Sequence, residues 1–182
     1  MSSNAMAYMV SAKDLKKLLG ENLKIIKFAN LADYNHITHL LPNTMDCAVI
    51  FFADEMQGDT TIGHWTCLMR SGNRYEFFDS YGLSPAEDLA HIPREARVKF
   101  GEQINYLKNL LKNVKHTHNH IDYQRWGTGI NTCGRFVIIR LYSFNQGYTN
   151  PKQFHHLMDE WLEKTGCKDY DELAVYLTEA TA

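Results

Sequence analysis

A chain of 182 residues is long enough to bury a hydrophobic core, and 45% hydrophobic with 22% charged residues is an ordinary globular balance, not a disordered or fibrous one. A net charge of −2, with nine histidines counted neutral, offers nucleic acid no basic field, and no apolar run reaches a membrane span or forms a signal-peptide pattern. The four cysteines, Cys47, Cys67, Cys133 and Cys167, include no Cys-x-x-Cys pair, which argues against a disulfide framework or four-cysteine zinc site and predicts free thiols in a soluble protein of a reducing, cytosol-like compartment.

The first ten residues, opening Met-Ser-Ser-Asn-Ala, read as a flexible leader, and the chain as a whole as one domain without repeats or linkers. Ser11 is placed to cap a short helix over 13–19 that stops at Gly20. Residues 23–28 suggest an edge strand and 46–52 a buried strand, the second run being too short for a helix. Residues 64–70 and 74–79 predict a hairpin around Ser71-Gly72-Asn73. A polar stretch follows Pro85, then a helix over 102–112 with Ile104, Leu107, Leu110 and Leu111 on one face, and a strand near 118–123. Residues 133–144 are nearly all apolar apart from two arginines and a serine, the pattern of a buried central helix. Asn150-Pro151 opens a helix to Lys164 that ends at Gly166, and Asp169 with Glu172 forms a capping pair for the last helix. The fold class expected is α+β, a central mixed sheet flanked by helices.

Chemistry concentrates at three places: His64 in Gly63-His64-Trp65-Thr66, Asp79 in Phe77-Phe78-Asp79-Ser80-Tyr81-Gly82, and Cys133 in Asn131-Thr132-Cys133-Gly134-Arg135. If the hairpin turns on Gly72 and Asn73, Thr66 faces Asp79, and His64 lies one diagonal step from Asp79 on the same sheet face. Diagonal neighbours are about 7–8 Å apart at the backbone, within reach of an imidazole. A one-residue slip would part them, and the same register turns Cys67 to the opposite face, excluding it as their partner. Cys133 stands where a helix N-terminus favours thiolate over thiol. Gly134 is expected to let a substrate backbone approach closely. The Cys133 amide would donate to a developing oxyanion, with Gln124 as first candidate for a second donor and Asn131 as the alternative. A thiol activated by a histidine that a carboxylate orients is the layout of a cysteine peptidase.

At these residues the chain resembles the cysteine-peptidase clan of adenovirus protease (adenain) and the ubiquitin-like-protein proteases. The phrases Phe-Phe-Asp-Ser-Tyr-Gly and Asn-Thr-Cys-Gly-Arg-Phe-Val look most like proteases of virophages and polinton-type elements. The resemblance implies a papain-like or adenain-like layout, with His64 as general base, Asp79 as its orienter, Cys133 as nucleophile and Gln124 in the oxyanion hole. It also implies that Trp65 walls a narrow channel for glycine-containing substrate ends. The clan's viral branch cleaves capsid and scaffold precursors after small residues, which implies a protein substrate and a place in the virion or host-cell cytoplasm, with no cofactor. Two features depart from the clan's pattern. Gln124 precedes Cys133 by nine positions, longer than the usual gap, with Gly127-Thr128-Gly129 to absorb the excess. The chain is slightly acidic, so the DNA activation of the basic adenovirus enzyme is not carried over.

Taken singly, each residue has an ordinary structural reading: a strand histidine, a turn aspartate, a buried small thiol. Their order and setting together favour the peptidase, against a ubiquitin-like-protein protease, an acyltransferase using the same cysteine–histidine pair, or a silent binding module. The alternating His116, His118 and His120 are read as a solvated edge strand in preference to a zinc site, no carboxylate or thiol completing a ligand set. Lys108, Lys112 and Lys115 read as a solvated face.

Overall fold

The computed structural model describes residues 3–179, and over them the alternating and helical patterns resolve into an α+β fold. Five strands lie side by side in chain order: β1 (Ile25–Lys27), β2 (Cys47–Gln57), β3 (Thr60–Ser71), β4 (Arg74–Phe78) and β5 (Lys115–His118). The central three are antiparallel, and β1 and β5 run parallel to β2 and β4, so the sheet is mixed. Cys67 pairs with Phe78 and Ser71 with Arg74, the register expected of this hairpin. β2 and β3 run longer than the sequence indicates, continuing past a register break between Ala53 and Glu55.

The helices are α1 (Ser3–Ala7), α2 (Ala12–Leu19), α3 (Ile37–Leu40), α4 (Pro85–His91), α5 (Arg94–Phe100), α6 (Tyr106–Leu111), α7 (Cys133–Asn145), α8 (Pro151–Thr165) and α9 (Tyr170–Glu179). Strand alternation divides the core between the two faces of the sheet. Val49, Cys67, Met69 and Phe78 join Phe136, Val137, Phe154 and Leu173 of α7, α8 and α9. Ile50, Phe52, Leu68 and Phe77 join Phe28, Leu40, Leu89 and Leu107 on the other side. Each such side chain, fully buried, stabilises the fold by about 1.5–3 kcal/mol. Because helices and sheet surround α7, it is apolar on every face. Its one fully buried charge, Arg140, makes a bidentate pair with Glu76 at 2.9 and 2.8 Å and donates to the Tyr148 carbonyl at 2.9 Å.

Ser11 and Asp14 form the reciprocal cap of α2, Asn150 caps α8, and Asp169 accepts from the Glu172 amide ahead of α9. Several expectations need correction. The stretch after Pro85 holds two helices, the first closed by a capping box of Ser84 and Glu87. The helix expected over 102–112 begins only at Tyr106, because Asn105 caps it there, and Ile104 is exposed. The strand expected at 118–123 lies earlier, as β5, and the chain then turns away. Of the expected leader, Met1 and Ser2 lie outside the described residues; Ala5, Met6, Ala7 and Val10 are docked through their carbonyls onto Arg135, Asn131 and Trp65. No helix among the described residues is long and apolar enough to cross a membrane.

Candidate active site

His64 sits in β3 opposite Phe52, beyond the end of the β4 pairing. Its predecessor must be glycine: a Cβ at Gly63 would stand 1.9 Å from the Phe52 carbonyl oxygen, so only a bare backbone lets β3 press this closely against β2. Trp65, one step along, turns to the other face, where its ring meets Phe51 at 4.4 Å and its Nε1 donates to the Val10 carbonyl at 2.8 Å.

Phe77 and Phe78 anchor the end of β4 in the two half-cores, and the next residues form a turn in which each has a task. Asp79 is fully buried. Its Oδ1 bonds His64 Nε2, while its Oδ2 accepts the amides of Tyr81 and Leu83 at 3.1 and 2.9 Å. Asn119 clamps the Asp79 backbone on both sides, accepting from its N–H at 3.0 Å and donating to its carbonyl at 2.6 Å. Ser80 Oγ donates to Gln124 Oε1 at 2.8 Å, and the Ser80 carbonyl accepts the Tyr123 and Gln124 amides. Tyr81 lays its ring beside His64 at 5.2 Å.

With Nε2 held by Asp79, Nδ1 is the imidazole nitrogen left for Cys133, the first residue of α7. Burial opposes the thiolate, but the His64 side chain and the amides of Trp65 and Gly134 outweigh it and hold the Cys133 thiol below the ordinary cysteine range. Burial likewise opposes the imidazolium, and Asp79 and Cys133 overcome it, so His64 is raised well above the usual histidine value. The two shifts favour a thiolate–imidazolium pair. Cys67 is fully buried in the half-core beneath α7, and burial pushes its thiol well up.

Gln124 is buried, its Oε1 fixed by Ser80 and its Nε2 donating to the Ile130 carbonyl at 3.2 Å, which leaves one amide hydrogen beside the cleft that Cys133 also lines. The nine-residue gap is absorbed by a loop that carries Trp126 outward and is tied down by Asp171 of α9. That carboxylate accepts the Arg125 amide at 3.0 Å, Arg125 Nε at 3.1 Å and the Thr132 hydroxyl. Asn131 is engaged elsewhere, donating from its amide and side chain to the carbonyls of Met6 and Ala7 at 2.8 and 2.9 Å. Gly134 differs from expectation. A Cβ there would meet Val10 Cβ at 2.6 Å and Trp65 Cδ1 at 3.2 Å, so its missing side chain makes room for the N-terminal segment, not for a substrate.

Cys133 borders two clefts that share Ile62, Gly63 and Asn131. One, of about 700 Å³, runs past Val10, Phe51 and Trp65; the other, of about 270 Å³, runs past His64, Tyr81, Asp88 and Trp126. A groove on both sides of a thiol suits an extended chain. Asp88 has no sequence-level signal of its own, although the Ser84-Pro85-Ala86-Glu87 capping pattern marks the helix that carries it. It is 5% exposed, 4.0 Å from His64 Nε2, and its carboxyl is held well above the usual range by burial and by the Asp79 charge. His64, Asp79 and Asp88 offer ligand atoms within 4.8 Å of one another. The Asp79 hydrogen bond already occupies the imidazole nitrogen an ion would need. The three alternating histidines of the β5 region do not form such a group among the described residues; Asn119, between them, is the residue that serves the site.

No protein-family model matches this chain. Over 131 residues it is 33% identical to the "Uncharacterized protein V9" of Sputnik virophage, the match spanning 70% of this chain and 72% of that protein. This chain belongs to the V9 family. Kinship with V9 meets the virophage side of the expected relationship and places the chain in a viral family, while the chemistry rests on the residues just described.

Proposed function

We propose that the protein is a thiol endopeptidase that processes viral capsid or scaffold precursors at small-residue sites. The observation that carries the reading is the buried relay Asp79–His64–Cys133 at the first turn of α7, in a groove open on both sides of the thiol. In it, Cys133 Sγ attacks the scissile carbonyl carbon while the Cys133 amide and the free Gln124 Nε2 hydrogen bind the developing oxyanion. The His64 imidazolium gives its proton to the leaving amine as the C–N bond breaks, leaving a thioester. Water then attacks the thioester, its proton passing to His64, and the carboxylic acid product leaves as the Cys133 thiolate re-forms. Asp79 keeps the ring oriented and balances its charge in both steps. Trp65, held against Val10 and Phe51, is the channel wall. The virophage relative supports a maturation role.

The test is alkylation by an electrophilic thiol probe across pH with mass mapping, followed by incubation with capsid precursors. Expected are selective labelling of Cys133 below neutral pH, its loss in His64→Ala, and precursor cleavage abolished in Cys133→Ala. Cleavage that persists in Cys133→Ala would overturn the chemistry. Intact precursors alongside a cleaved ubiquitin-like fusion would overturn the substrate assignment.

A further inference from the structure

We propose that the cleft on the His64 side of Cys133 is a specificity pocket for a basic side chain of the substrate, with Asp88 as its anion and Trp126 as its aromatic wall. The inference rests on the endopeptidase reading and adds a substrate class to it.

Two carboxylates line the cleft, Asp88 at its buried end and the exposed Asp54 at the register break of β2. No lysine or arginine is among the described residues around it. His64 is the nearby cation, yet Asp79 and Cys133 already face it with two potential negative charges. Asp88 therefore stands outside that balance. Its Oδ2 is buried without a hydrogen-bond partner, and a buried carboxyl oxygen so placed is costly until a donor reaches it.

The walls suit a long cationic side chain. Trp126 is 55% exposed, backed by Tyr81 at 3.8 Å in a stacked arrangement, with His91 at 5.2 Å. The backing fixes the indole and leaves one face open to a guanidinium or ammonium group. Leu83 and Ile92 supply apolar surface for the methylene stem, and about 270 Å³ holds one such side chain. A cation arriving at Asp88 brings the donor that Oδ2 lacks and favours the ionised carboxyl.

The experiment separates pocket from chemistry by using the non-reacting Cys133→Ala protein for binding and the wild type for cleavage. Matched peptides with a small-residue core carry arginine, lysine, citrulline or norleucine at each flanking position in turn. At one position the arginine peptide should bind Cys133→Ala about tenfold or more tighter than its citrulline counterpart. Adding Asp88→Asn should bring that ratio near one, and adding the surface change Trp126→Ala should weaken both basic peptides. In the wild type the same preference should appear mainly in KM. Equal binding of arginine and citrulline peptides at every position, or a preference that survives Asp88→Asn, would overturn the pocket. Binding preference without cleavage by the wild type would keep the pocket and overturn the endopeptidase reading. Cleavage without preference would do the reverse.

Discussion

The two oxygens of Asp79 face different ways: Oδ1 toward the imidazole and Oδ2 toward two backbone amides that keep the carboxyl from rotating. Replacing Asp79 by Asn keeps the shape and removes the charge that helps raise His64. The thiolate fraction of Cys133 is lost as pH falls through its depressed value, so a weaker partner shifts that loss upward, toward the ordinary value of about 8.5. In Asp79→Asn, alkylation of Cys133 near pH 6 should fall about tenfold for each unit of that shift, read from the rate–pH profile. Cys67, raised by burial, should stay unlabelled across the same range. Removing Glu76 strands the Arg140 guanidinium inside the core. Glu76→Ala should lower stability by about 3–5 kcal/mol, measured by urea unfolding.

At the scale of elements, two close approaches hold the site together. At Gly63, β3 touches β2 through backbone alone, and at Gly134, α7 meets the N-terminal segment at Val10. Gly134→Ala overlaps Val10 and Trp65, and overpacking of this kind costs about 1–3 kcal/mol. The expected result is a lower urea midpoint together with increased protease sensitivity of residues 5–10. A wild-type midpoint with normal protection would refute the packing role given to this glycine.

For the molecule as a whole, stability should depend on Glu102, which joins the helical layer to the register break in β2. It is 1% exposed, with Oε1 accepting from the Ala53 amide at 2.9 Å, and burial pushes its carboxyl up from 4.5 to about 7 against that hydrogen bond. A raised acid makes the folded state bind its proton more tightly, so stability from this group falls between pH 4.5 and about 7 and is level above. Glu102→Gln keeps the acceptor and loses the slope; its urea midpoint should exceed the wild type's near pH 8 and approach it near pH 5. What was legible in the sequence follows the range of the forces involved. The hairpin register, the Ser11 and Asn150 caps and the buried α7 are set by neighbours a few residues apart, and they stand as read. Asp88, Asn119 and the Tyr81–Trp126 stack owe their positions to partners far along the chain. Gly134 misled for the same reason, because Val10 fills its space from more than a hundred residues away.

One support of the site comes late in the chain. The loop that leads to the nucleophile is fastened by the Asp171 carboxylate, through Arg125 on one flank and Thr132 on the other. A ribosome makes His64, Asp79, Gln124 and Cys133 first and Asp171 after all of them. A nascent chain thus carries its thiol before it can hold it in place, and translation itself delays the moment at which the molecule becomes dangerous to its neighbours.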